Sequence, residues 1–231
     1  YVQSVEHDSL VEAAARREAV VVLQCRAGDF MCRGGWLARV HPAEAMDDGF
    51  AAILRDAVLI GAQRTPVQDI EFPLRNLVDV ALRALSPGIN DPNTAIVAID
   101  RLRSGLARML GRHLPDALHC DPRGAVRVIA ESTTYDGLFD AAFHQIRQAG
   151  ARQPAVALHL LHAFGRLAEH VRLPEQRDGL LRHAGLVLRA GLDGLHEDCD
   201  RADLEHAYAA SKRKLLEVCP RPPPGTSGAR S

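Results

Sequence analysis

The chain has 231 residues, with 28 basic and 29 acidic side chains and a formal net charge of −1. Hydrophobic residues at 47% and charged residues at 25% suit one globular domain or two small ones. The even charge leaves no basic footprint for nucleic acid, and aromatics at 4% leave few platforms for base stacking.

In chain order, Tyr1 to Val5 alternates as a short strand, and Asp8 or Ser9 can cap a helix from Leu10 to about Ala19. Val20 to Cys25 is a β-branched apolar run, hence a strand. Turn chemistry at Ala27-Gly28-Asp29 and Arg33-Gly34-Gly35 brackets Phe30 to Cys32, and Trp36 to Val40 follows as a strand. This block predicts a small meander or a partly closed barrel. It is similar in wording to lipoyl-type modules, but no lysine sits in its loop, so a swinging-arm carrier is not expected. Asp47 or Asp48 caps a short helix through Phe50, and Val58 to Ala62 returns as a strand.

The clearest pattern comes next. Leu74, Leu77, Val78, Ala81, Leu82 and Leu85 follow the i, i+3, i+4 rhythm of one buried helical face. Arg75, Asp79 and Arg83 line the other face at steps of four. Ser86-Pro87-Gly88 stops that helix, with Gly88 free to take positive φ. Asn90 or Asp91 caps the next, and Pro92 suits its first position. The second helix is predicted to bury Ala95, Ile99, Leu102, Leu106 and Met109 and to end at Gly111. Leu114 to Gly124 reads as a loop, and Ala125 to Ala130 as a strand. Ser132 to Thr134 caps a helix from Tyr135 to about Ala149. Further helices open at Pro154, at about Glu175 and at Asp200 or Asp203. The tail 220–231 has too little apolar surface to fold and is predicted to be disordered.

Five cysteines (Cys25, Cys32, Cys120, Cys199 and Cys219) are odd in number, irregularly spaced and without a CxxC pair. They read as free or buried thiols in a reducing compartment, not as a zinc site or disulfide framework. No apolar run approaches the roughly 20 residues that cross a bilayer as a helix.

The run RTPVQDIEFPLRNLVDVALRALSPGINDPNTAIVAIDRL resembles the signature of a bacterial family of predicted integral membrane proteins, domain of unknown function 2254. YVQSVEHDSLVEAA and AGDFMCRGGWLARV resemble the soluble part of that family, and the likeness extends over roughly residues 1–170. The resemblance implies a membrane context: in relatives this part follows several transmembrane helices. The start at Tyr1, in the middle of a strand, agrees with a transmembrane region missing upstream. The resemblance implies no catalytic or binding residues.

The residues themselves offer one candidate set at the helical elbow: Arg64, Gln68, Asp69, Arg75, Asp79, Asn90 and Asp91. Guanidinium groups and carboxylates gathered there could hold a small polar or anionic ligand. The simpler reading is that they cap the helices and form a structural ion-pair network. His159 and His162, with Arg166, Glu169 and His170, stand opposite an apolar stripe and read as a solvated face. The stretch from His196 to His206 keeps no recognised ligand order. No catalytic group, metal ligand or cofactor is assigned, and neither Walker nor dinucleotide signatures appear.

The predicted fold is α+β: a small, mostly antiparallel sheet in the N-terminal third packed on a helical hairpin, followed by a helical C-terminal bundle. The expected boundaries are 1–134 with the hairpin at 69–111, then 135–219, then the tail. The expected function is a regulatory, assembly or ligand-sensing domain of a multi-pass membrane protein of the inner membrane, on its cytoplasmic side. Its expected partners are its own transmembrane region, further copies of itself and a small polar or anionic ligand. The alternatives are a hydrolase-like enzyme using Arg64, Asp69 and Asp91, and a passive scaffold.

Overall fold

The computed structural model describes residues 1–218, so the predicted tail 220–231 and Cys219 lie outside the described residues. Among those residues the architecture is α+β, with one two-stranded and one four-stranded sheet and long helices. The chain divides into two compact units, Tyr1–Phe72 with Leu114–Thr133, and Pro73–His113 with Thr134 onward.

The first unit holds β1 (Val2–Val5), α1 (His7–Ala15), β2 (Val20–Leu23), β3 (Ala38–His41), α2 (Asp48–Asp56), β4 (Val58–Ile60), β5 (Leu118–Cys120) and β6 (Val126–Ile129). Strand β1 pairs antiparallel with β4, and the larger sheet has the order β3-β2-β6-β5. Only β2 and β6 run parallel; the other pairings are antiparallel. The predicted meander or barrel is therefore corrected. The VVVL of β2 is apolar throughout and takes a partner on each edge, while β1 leaves to join β4. Helix α1 covers β2, β5 and β6, and Leu10, Ala13, Val21, Phe50 and Val128 form the core. Burying each of the larger side chains contributes about 1.5–3 kcal/mol.

Other expectations in this unit shift. α1 starts at His7 with Glu6 at its N-cap and no side-chain cap, so Asp8 and Ser9 lie inside it. The third strand starts at Ala38, and Trp36 is 78% exposed. β5 lies in the segment read as a loop; its LHC is too short and too polar to signal a strand, and β6 recruits it as an edge. Asp121 fixes that hairpin. Its Oδ1 accepts from the amides of Arg123 and Ala125, and its Oδ2 from Arg127 Nε at 2.9 Å. The Arg127 bond, with those amides, holds the Asp121 carboxyl below its usual range.

Helix α3 (Glu71–Ala84) starts in the first unit and continues into the second. The second unit adds α4 (Pro92–Leu110), α5 (Tyr135–Ala149), α6 (Pro154–Leu167), α7 (Pro174–Gly194) and α8 (Asp198–Glu217). α6 packs against α4, α7 and α8, and α5 lies along α7. Thr134 caps α5, its Oγ1 accepting from Gly137 N at 3.1 Å. α8 begins at Asp198, ahead of the predicted start. α4 buries Leu110 in place of Met109, since 99, 102, 106 and 110 continue one face of a 3.6-residue turn. Among the described residues no helix is long and apolar enough to cross a membrane.

Gln176, fully buried in the first turn of α7, ties this unit together. Its Oε1 accepts from the amides of Arg172 (2.7 Å) and Leu173 (3.1 Å), and its Nε2 donates to Leu110 O at 3.1 Å. Nearby, Tyr135 donates its hydroxyl to Arg112 O at 2.6 Å. The end of α4 is thus fastened to the starts of α5 and α7.

Candidate functional site

The seven residues of the elbow set fall in both units, and several already have partners. In the first unit, Arg64 donates through Nε to Asp69 Oδ2 at 2.8 Å, while Asp69 Oδ1 accepts from Phe72 N at the start of α3. The guanidinium also lies 5.5 Å from the Phe72 ring centroid. Gln68 acts as a backbone surrogate, accepting from Val5 N and donating to Val5 O. In the second unit, Arg75 and Asp79 stand on the exposed side of α3.

The turn after α3 takes its left-handed residue at Asn90 (φ 48°), not at Gly88. Asparagine tolerates that region because its short amide can be held locally; here Asn90 Oδ1 accepts from Gln153 Nε2 at 2.8 Å. Asp91 caps α4, its Oδ1 accepting from Asn93 N (3.0 Å) and Thr94 N (3.2 Å) and its Oδ2 from the Thr94 hydroxyl. The Thr94 hydroxyl bond and these amides hold its carboxyl below the ordinary range. A carboxylate with a lowered folded pKa stabilises the fold above its unfolded pKa, and that contribution is lost as pH falls through the folded value. Asp91→Ala is expected to lower the melting temperature at neutral pH and to weaken its dependence on acid; an unchanged acid profile would contradict the capping role.

A cleft of about 510 Å³ lies between α4, α6 and α8, lined by Asp100, Arg103, His159, His162, Arg166 and Lys214. Of the row read as a solvated face, His159, His162 and Arg166 line this concave surface, while Glu169 and His170 are exposed outside its lining. His159 Nε2 lies 3.1 Å from Asp100 Oδ1, which ties α6 to α4. Gly165 allows the close approach of α8: a Cβ there would meet Ser211 Cα at 3.4 Å and Lys214 Cδ at 3.5 Å. In this lining the buried Ser211 hydroxyl has no hydrogen-bond partner, and the buried Arg103 Nε has only an ion-pair contact with Asp100 Oδ1, at 3.5 Å. Among the described residues, Arg166 and Lys214 have no carboxylate partner. Burial, and then the charges of His159, Arg166 and Lys214, push the His162 pKa down, as expected where the local potential is positive.

A second cluster was not anticipated. Asp140 and His144, one turn apart on α5, meet His183 of α7. His183 is fully buried, with ring centroids 6.0–6.4 Å from Phe139, Phe143 and Phe164, and its Nε2 lies 3.0 Å from Asp140 Oδ1. Burial, and next the charge of Arg182, push its pKa down to about 4 against the pull of Asp140. The i, i+4 spacing of Asp140 and His144 was visible in the sequence; the third member, on another helix, was not.

A family model described as predicted membrane protein (DUF2254) matches residues 1–166. Uncharacterized protein Rv1290c of Mycobacterium tuberculosis and uncharacterized protein Mb1321c of Mycobacterium bovis are each 33% identical over 238 residues, covering 99% of this chain and 45% of the relative. The chain thus spans somewhat less than half the length of those relatives. No solved structure matches. With the family model covering most of the chain and its signature run folded as α3, the capped turn and α4, the chain belongs to the DUF2254 family of predicted membrane proteins.

Proposed function

We propose that this chain is the regulatory, ligand-sensing part of a larger membrane protein, and that its helical unit takes a small anionic ligand in the cleft between α4, α6 and α8. One observation carries this reading: Arg166 and Lys214 face the cleft without a carboxylate partner among the described residues. The Ser211 hydroxyl, which has no hydrogen-bond partner, supplies a further donor. Such a set suits the oxygens of a phosphate or carboxylate. In this reading Asp91 and Asn90 hold the start of α4 and leave recognition to the cleft. The exposed free thiols Cys32, Cys120 and Cys199 support placement on the cytoplasmic side. Assembly of copies around the membrane region belongs to the same proposal, and the mass of the intact protein in detergent tests it.

Inorganic phosphate and pyrophosphate are the first probes, followed by thermal shift and calorimetry. Binding is expected to raise the melting temperature, and Arg166→Ala or Lys214→Ala is expected to weaken it about tenfold each, the scale of one hydrogen bond to a charged group. Vesicles containing an anionic phospholipid, compared with neutral ones, distinguish a lipid headgroup from a free phosphate. Equal affinity in wild type and both variants, or no binding of any of these anions, would overturn the proposal.

A further inference from the structure

We infer that Asp140, His144 and His183 form a binding site for a divalent first-row transition metal, with Zn²⁺ the best-suited ion, bridging α5 and α7. The donors are two imidazoles and one carboxylate, the set that zinc takes when it keeps an open position for water. All three ligand atoms lie within 4.8 Å of one another. Asp140 Oδ1 lies 3.0 Å from His183 Nε2 and 3.4 Å from His144 Nδ1. Ligands about 2.0–2.2 Å from a tetrahedral zinc stand roughly 3.3–3.5 Å from each other, so the two edges that meet at Asp140 Oδ1 are already close to the required length.

The helices fix this geometry. One turn of α5 sets Asp140 and His144 on the same side. The His183 ring is held by Phe139, Phe143 and Phe164, and it stands nearly perpendicular to the His144 ring, at 86°. Its Nδ1 is buried without a hydrogen-bond partner. Without metal the proton of the neutral ring belongs on Nε2, against the Asp140 carboxylate; a metal bound at Nε2 would take that proton's place and shift it to Nδ1. Arg182 donates to Asp136 Oδ1 (3.2 Å) and to Asp140 Oδ1 (2.9 Å), the same oxygen that faces the two imidazoles, and so fixes the carboxylate's position. With Asp136 and Asp140 against Arg182, the surroundings keep one net negative charge. The Asp140 and His144 side chains are half-buried at the surface of α5, with the His144 Nδ1 atom itself buried.

The test uses the purified chain, stripped with a chelator and titrated with Zn²⁺ and with Co²⁺. One metal per chain, a raised melting temperature and visible Co²⁺ bands of a four- or five-coordinate site are expected. Thiolate charge-transfer absorption should be absent. His144→Ala and Asp140→Asn change half-buried positions, and circular dichroism verifies their folding; each is expected to weaken binding on the order of 100-fold, at least the upper end of what outer-shell changes do. Should one variant fail to fold, the other decides. Absence of the bands, cysteine charge-transfer absorption, or equal affinity in the folded variants would overturn the assignment.

Discussion

Gln176→Ala is expected to destabilise the helical unit by about 2–4 kcal/mol, because it strands three backbone groups at once, one buried and two part-buried, and a buried group left unpaired costs roughly 1–3 kcal/mol. The amides of Arg172 and Leu173 lose their acceptor, and Leu110 O loses its donor. Water cannot easily replace a side chain that is fully buried. Urea unfolding followed by far-ultraviolet circular dichroism measures the loss, since most of the helix lies in this unit. Gln176→Glu keeps the acceptor for both amides but sets a buried carboxylate against Leu110 O, so it should be no milder at neutral pH and should recover stability in acid as the carboxyl takes up a proton. A loss below about 1 kcal/mol for the alanine variant would mean that the three groups find other partners, contrary to the geometry.

Gly28→Ala is expected to cost about 3 kcal/mol or more in the first unit, from two separate causes. Gly28 has φ 98°, a region in which side-chain-bearing residues are strained. A Cβ there would also overlap Asp69 Oδ2 and lie 2.8 Å from Arg64 Nη2. Alanine would therefore have to displace the Arg64–Asp69 pair that holds the start of α3. A double-mutant cycle with Asp69→Ala separates the two causes. If the steric account is right, Gly28→Ala should cost less in the Asp69→Ala background, and the remainder is the backbone strain. Strict additivity would show that the pair and the glycine do not meet.

What the sequence revealed about this fold follows the range of the interactions. The helices α4, α5 and α6 were legible because their signals are local: Asp91, Pro92 and Thr134 announce starts, and Ile99, Leu102 and Leu106 repeat with the helical period. Asp47 as the cap of α2 was legible for the same reason. The sheet was harder. β5 has three residues and little pattern of its own, so only its partner β6 makes it a strand. The turn after α3 was placed correctly, but its strained residue moved from Gly88 to Asn90, because the Gln153 amide that holds Asn90 lies on a distant segment. The candidate chemistry followed the same rule. The elbow carboxylates stood out by their wording, whereas the cleft around Arg166 and Lys214 and the cluster at His183 each need residues from separate helices.

The parallel pairing of β2 with β6 sets a timetable for the nascent chain. Val21 meets Val128, so an apolar strand made early must wait for most of the intervening chain before its second edge is covered. Closing so long a loop slows assembly and leaves a sticky border open in the interval. Truncated versions ending anywhere before Val126 should therefore aggregate, and a chaperone that shields β2 should raise the yield of the full-length product.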